Sequence, residues 1–167
     1  KPMLIEAYYS NNAKIYYTTD GSVPDKNSER YYDPIELPYG RSNFSFIAID
    51  GHGRGSETVS RSYELQVESN FDAELAVQVL KNNLVAAGKL LNVEGNVPDK
   101  LGRNQYRVQT VAEVAGSLYY VVYEEYVDTT DRVHDTNNIY AVDVNTADLY
   151  KAYKVDEGKY NLRPFDE

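Results

Sequence analysis

Ile15-Tyr16-Tyr17-Thr18-Thr19-Asp20-Gly21-Ser22 is the stretch on which the reading of this fold turns. Its first five residues are β-branched or aromatic, side chains that fit a pleated, half-buried surface. The Asp-Gly-Ser that follows supplies a carboxylate, a residue free to take positive φ, and a hydroxyl, which together are the chemistry of a turn. A strand running into a hairpin is expected here. To either side, residues 3–9, 34–37, 43–50 and 58–65 read as further short strands, separated by turn clusters such as Pro38-Tyr39-Gly40 and Asp50-Gly51-His52-Gly53. In the segment 43–50, Phe44, Phe46 and Ala48 alternate with Ser45, Ile47 and Ile49, the period-2 signature of a strand. Residues 1–67 are therefore expected to be an all-β sandwich.

The pattern changes after Val67-Glu68-Ser69-Asn70. Apolar residues recur at Ala73, Val77, Leu80, Leu84, Ala87 and Leu91, one face of a helix. Ser69 or Asn70 is placed to cap it, and Asp72 and Glu74 fall in its first turn, where the macrodipole favours anions. Burying Val77, Leu80, Leu84 and Leu91 contributes roughly 1.5 to 3 kcal/mol each, enough to dock a helix on a neighbouring sheet. Four strands follow, at residues 106–114, 118–127, 138–144 and 149–155, with short connections at Ala115-Gly116-Ser117 and Asn145-Thr146-Ala147-Asp148 that force antiparallel hairpins. Residues 68–167 are thus expected to form an α+β domain, one long helix packed on a four-stranded antiparallel sheet. In the second of these strands Leu118, Tyr120 and Val122 point one way, while Tyr119, Val121 and Tyr123 point the other. One face should take the helix and the other should meet solvent or a partner.

Composition narrows the functional classes. The 167 residues carry a formal net charge of −9, which repels phosphate backbones and anionic lipid surfaces. No nucleic-acid partner is expected, and no apolar run is long enough for membrane insertion. The chain contains no Cys, so it has neither a disulfide framework nor a thiolate nucleophile. It opens without an initiator Met or an apolar leader, which reads as a segment of a longer protein. Seventeen Tyr against four Phe and no Trp favours sheets whose faces are partly wet.

Few residues offer chemistry. Asp20, Ser22, Asp25 and Asn27 gather oxygen donors in one loop, as a Ca²⁺ site requires, but no Glu stands where a bidentate ligand is needed. The same side chains serve a turn by bonding their own backbone. Asp50 beside His52, and His134 within Asp128-Thr129-Thr130-Asp131-Arg132-Val133-His134-Asp135, pair carboxylates with imidazole in glycine-flanked or acidic loops. Glu124 and Glu125 are adjacent on a strand and point to opposite faces, so they cannot flank one glycosidic bond. No catalytic residue, no metal ligand and no cofactor is expected. The remaining candidates are tyrosines: Tyr8, Tyr9, Tyr16, Tyr17, Tyr31, Tyr32 and Tyr39 crowd residues 1–67, with flat rings that stack on sugars or anchor protein interfaces, and Tyr16, Tyr17, Tyr31, Tyr32 and Tyr39 are the ligand-binding residues expected.

The run Ile15-Tyr16-Tyr17-Thr18-Thr19-Asp20-Gly21-Ser22-Val23-Pro24, followed by Ser28, Tyr31 or Tyr32, Pro34-Ile35, Phe46-Ile47-Ala48, Gly53, Ser56 and Tyr63, resembles the chitobiase/β-hexosaminidase C-terminal-type module, also described as fibronectin-type-III-associated. That resemblance implies an immunoglobulin-like sandwich accessory to bacterial surface proteins and glycan-active enzymes, with catalysis left to other domains. It also implies an extracellular or cell-surface location, anchored through another part of the protein. Farther on, Tyr119-Tyr120-Val121-Val122 and the stretch from Ile139 to Tyr150 resemble the ending of PepSY-like or cystatin-like α+β domains, with Ala147 where that turn carries Gly. The resulting expectation is a non-catalytic adhesion or spacer module of a bacterial cell-surface or secreted protein, contacting cell-wall glycan or another surface protein. The alternatives are accessory domains of a larger glycan hydrolase or peptidase, and a peptidase-regulating module that uses the open sheet face.

Overall fold

The computed structural model describes residues 2–10 and 12–167, which are mostly antiparallel β-sheet with one α-helix. Contacts divide the chain into two compact units, Met3–Gln66 and Val67–Glu167.

The first unit holds β1 (Leu4–Ile5), β2 (Lys14–Thr18), β3 (Glu29–Arg30), β4 (Ile35–Glu36), β5 (Gly40–Ile49) and β6 (Val59–Leu65). β3-β2-β5-β6 form one sheet, and β1-β4 form a second of only two short strands. The register pairs Ile15 with Ala48, Tyr17 with Phe46, Phe46 with Val59 and Phe44 with Arg61. Paired residues share a face, so Ile15, Tyr17, Phe44, Phe46, Ala48, Val59, Arg61 and Tyr63 all project to one side. Phe44 and Phe46 stack there at 6.1 Å between ring centres, Tyr17 lies 5.8 Å from Phe46, and Tyr63 meets Phe44 edge-on at 6.1 Å. This ladder of rings, together with buried Ile5, Ala48 and Leu65, is the core of the unit.

The expected tight hairpin at residues 15–22 is a different object. β2 is followed by β3 only after a ten-residue connection, and Asp20-Gly21-Ser22 is a local turn at its start. Asp20 Oδ1 accepts from the Ser22 amide at 3.0 Å and from its hydroxyl at 2.5 Å, while Gly21 takes φ +83°. Asp20-Gly21-Ser22 makes the turn expected of it, but the partner strand begins only at Glu29, after Pro24 has been buried.

In the second unit α1 spans Ala73–Ala86 and stops before the periodicity does. Its cap is Asp72, whose carboxylate accepts from the Leu75 amide at 2.9 Å, not Ser69 or Asn70. Ser69 instead meets the Tyr120 hydroxyl at 2.9 Å, and the Asn70 side-chain amide donates to the Asn145 carbonyl at 3.0 Å. Gly88, at φ +71°, ends the helix, so Leu91 lies beyond it and is exposed while Leu90 is buried. Ala76, Leu80 and Leu84 form the buried stripe, and Val77 is half-buried.

The sheet has five strands, not four: β7 (Arg103–Val114), β8 (Ser117–Val127), β9 (Val133–Asp143), β10 (Leu149–Asp156) and β11 (Lys159–Pro164), in the order β11-β10-β9-β8-β7. β9 begins at Val133, within what reads in sequence as an acidic loop, so the turn is confined to residues 128–132. On β8 four consecutive residues, Tyr119, Tyr120, Val121 and Val122, are all buried. Alternation sends them to both faces, so both faces must be covered. The helix contacts β7 and β8, with Phe71 beside Tyr120 at 6.5 Å. The other face closes on itself, because β11 at one edge comes back to β7 at the other. Tyr119, Val121 and Tyr160 pack inside this curl with Ala112, Ala141 and Ala152. A five-stranded curl is narrow, and it accommodates the tyrosine rings because alanine stands on neighbouring strands. The face expected to meet solvent or a partner, that of Tyr119, Val121 and Tyr123, is instead lined by the core of this curl.

Two substitutions test this packing. Ala141 is fully buried, and Ala141→Leu is expected to cost about 1–3 kcal/mol by overfilling the curl, measured as faster hydrogen exchange of the β8 amides in the whole chain. Ala147 holds φ +64° in the turn where the resemblance has Gly. Ala147→Gly is expected to stabilise the β9–β10 turn by up to about 1 kcal/mol, relief of left-handed strain outweighing the added unfolded-state entropy, read from the same exchange experiment.

Candidate functional site

In the first unit the face of the four-stranded sheet that carries Phe44 and Phe46 is not covered along its whole length. The uncovered part is a groove of about 580 Å³ between the segment Ile5–Tyr9 and β6. Ile15, Phe46, Ala48 and Val59 form its floor, and Tyr8, Tyr9, Arg61 and Tyr63 stand around it with Glu6 and Glu57. Its volume falls within the range of small-ligand sites. Val59 is 47% exposed although it projects from the same face as fully buried Phe44. The groove is therefore the part of this ring-bearing face that is left open.

The five tyrosines singled out in the sequence do not converge. Tyr17 belongs to the ring ladder, and Tyr31 meets Phe46 edge-on at 6.4 Å while its hydroxyl accepts from the Ala7 amide at 3.2 Å. Tyr16 pairs with Arg30 and Ile47, so it projects from the opposite face. Tyr32 is 70% exposed and lies under the Arg30 guanidinium at 4.6 Å. Tyr39 is half-buried just before β5. None of the five lines the groove. Its tyrosines are Tyr8, Tyr9 and Tyr63, and only the alternation of β6 could have singled out Tyr63 from sequence.

The carboxylate–imidazole loops are occupied with their own turns. Asp50 Oδ1 accepts from the His52 and Arg54 amides at 2.8 and 2.9 Å, and Oδ2 meets Arg54 Nε at 3.0 Å. Asp25 Oδ1 accepts from the Asn27 amide at 2.8 Å. Asp128 Oδ1 accepts from the Thr130 hydroxyl at 2.6 Å and its amide at 2.8 Å, while Oδ2 lies 2.7 Å from His134 Nε2. These bonds, the Thr130 hydroxyl foremost and His134 next, hold the Asp128 carboxyl well below the ordinary 3.8. Among the described residues no three His, Cys, Asp or Glu are grouped to hold a metal.

The second unit has a polar cleft of about 460 Å³ beside Glu124, lined also by Lys100, Asn104, Tyr126, His134 and Asn138. Glu124 is 5% exposed. Its Oε2 accepts from the Tyr106 hydroxyl at 2.8 Å and its Oε1 from Asn138 Nδ2 at 2.8 Å, with the Tyr140 hydroxyl also directed at it. Glu125 turns to the other face and accepts from Gln105 Nε2 at 2.7 Å. Glu124 thereby ties β7, β8 and β9 together through neutral donors. Burial first, and the Glu124 charge second, push the Tyr106 and Tyr140 hydroxyls far above their ordinary value of 10.

Two titrations follow from these environments. Asp128 favours its charged form in the folded chain, so its contribution is present above the ordinary carboxylate pKa and lost as pH falls through the depressed one. His134→Ala is expected to raise the Asp128 pKa toward 3.8, read from its carboxyl carbon shift by NMR. Tyr106 and Tyr140 favour their neutral forms, so their contribution is complete below pH 10 and lost as pH rises above it. In an absorbance titration both are expected to ionise only with unfolding, and Glu124→Gln removes the part of the shift that the carboxylate charge supplies.

No curated protein and no solved structure significantly matches the chain. The region that builds the groove does have a match: residues 5–63 fit the family model described as Fn3 associated, the family that the Tyr-Tyr-Thr-Thr-Asp-Gly-Ser run resembles.

Proposed function

We propose that this chain is a non-catalytic accessory segment of a larger bacterial cell-surface or secreted protein, serving as an adhesion or spacer module. The observation that carries this reading is the groove on the Fn3-associated unit, an uncovered patch of core-type side chains ringed by Tyr8, Tyr9, Arg61 and Glu57. A concave patch of this kind, apolar at the centre and polar at the rim, has the anatomy of a contact surface. The two sheets of the unit are read as a small immunoglobulin-like sandwich, one of whose layers is short. Tyr16 and Tyr32, with Arg30 between them, offer a second, flatter contact surface on the outer face. The second unit, with a helix over one face and the other curled shut, is read as the rigid body that spaces or presents the first. Cell-wall glycan or another surface protein is the partner class, at an extracellular address.

Binding of the whole chain to a glycan array and to cell-wall and surface-protein fractions tests this. Specific retention is expected, weakened at least about tenfold, or ~1.4 kcal/mol, by Val59→Glu at the groove floor. Turnover of a glycan or peptide substrate by this chain, without retention on any fraction, rejects the reading.

A further inference from the structure

We infer that the groove of the first unit is a strand-docking site, which takes an extended peptide segment of a partner protein carrying an acidic residue between two apolar ones at alternate positions. This rests on the accessory reading above and names the ligand class of the same site. Three observations lead to it.

The first is the backbone beside the groove. β6 is the terminal strand of its sheet, seven residues long, and among the described residues its second edge has no strand partner. A free edge of this length presents a row of amide donors and carbonyl acceptors to any extended segment that arrives. The second is what projects from β6 into the groove: Val59, Arg61 and Tyr63, alternate residues of one strand. A paired strand places its own alternate side chains against these three, so apolar residues belong opposite Val59 and Tyr63. Arg61 belongs with a carboxylate, because among the described residues it forms no ion pair and its guanidinium only donates to the neighbouring Ser60 carbonyl at 2.9 Å. An inward-pointing charge on an edge strand repels indiscriminate pairing, so Arg61 also makes the edge selective.

The third observation separates a peptide from a saccharide. Sugar stacking needs a free aromatic face, and the rings on the floor and wall of the groove, Phe46 and Tyr63, are committed, leaving Tyr8 and Tyr9 as the exposed rings at its rim. Phe46 is packed against Tyr17, Phe44 and Tyr31, and Tyr63 lies edge-on to Phe44. Tyr8 is hydrogen-bonded to Glu6 at the rim. The floor that remains is aliphatic and edge-on aromatic surface from Ile15, Ala48 and Val59, which suits side chains of an added strand.

The test uses the 167-residue chain and two capped probe peptides, one containing Val-Thr-Glu-Thr-Val and one in which the two Val are moved by one place, so that they leave the face shared with Glu. With the first peptide, NMR is expected to show shifts at Val59, Arg61 and Tyr63, and hydrogen exchange is expected to slow at β6 amides at least tenfold. The shifted peptide is expected to bind at least tenfold more weakly. Arg61→Glu should lose the first peptide by a similar factor and recover binding to the same sequence with Lys in place of Glu, a charge reversal that loss of folding cannot imitate. Equal binding of both peptides, or no protection at β6, overturns the inference. So does protection that rises with protein concentration without peptide, which identifies a second copy as the occupant. Groove shifts with cello- or chito-oligosaccharides and none with peptide overturn it in favour of a glycan, and in that case the accessory reading stands.

Discussion

The requirement that both faces of β8 be dry shapes the second unit. Tyr119 to Val122 are buried in succession, and a strand cannot hide consecutive side chains without a layer on each side. One layer is α1, docked through Ala76, Leu80 and Leu84. The other is the sheet itself, bent until β11 returns to β7. The curl is narrow enough that alanine at 112, 141 and 152 is needed beside the rings of Tyr119 and Tyr160. The same constraint explains Glu124. It follows Tyr120 and Val122 at alternate positions along β8, and its buried carboxylate is kept satisfied by Tyr106, Asn138 and Tyr140.

In the first unit the same demand is met only in part. Phe44 is fully covered, yet Val59, two register positions away on the same face, is half open. β1 and β4 are two residues long each, against ten residues in β5 and seven in β6. Among the described residues, what is left over is at once a groove, a backbone edge without a strand partner and an Arg61 without an ion pair. Function is sought there because uncovered core costs stability unless something covers it.

The strand segments, the helix and the short connections at residues 115–117 and 145–148 were legible because each depends on neighbours a few residues away. Asp20, Gly21 and Ser22 announced a turn, and the run from Ile15 to Ser22 announced a family that residues 5–63 match. The cap of α1 lies two residues beyond Asn70 and three beyond Ser69, because Ser69, Asn70 and Asp72 are equally good local caps and only packing gives Ser69 to Tyr120 and Asn70 to Asn145. β11 went unread because Lys159–Pro164 is short and polar, with Tyr160 and Leu162 its only apolar side chains. It is a strand by virtue of pairing with β10.

By itself, then, the sequence determined the β character of most of the chain, the single helix, the turn chemistry and the absence of thiol chemistry, since propensity, period and composition act over short spans. Tertiary structure alone decided which tyrosines meet, that the second sheet curls shut, and that the tyrosines lining the groove are Tyr8, Tyr9 and Tyr63, while Tyr32 is exposed elsewhere. The reason is physical. A strand's alternation tells which residues share a face, but whether that face is covered depends on strands tens of residues distant and on how far they extend.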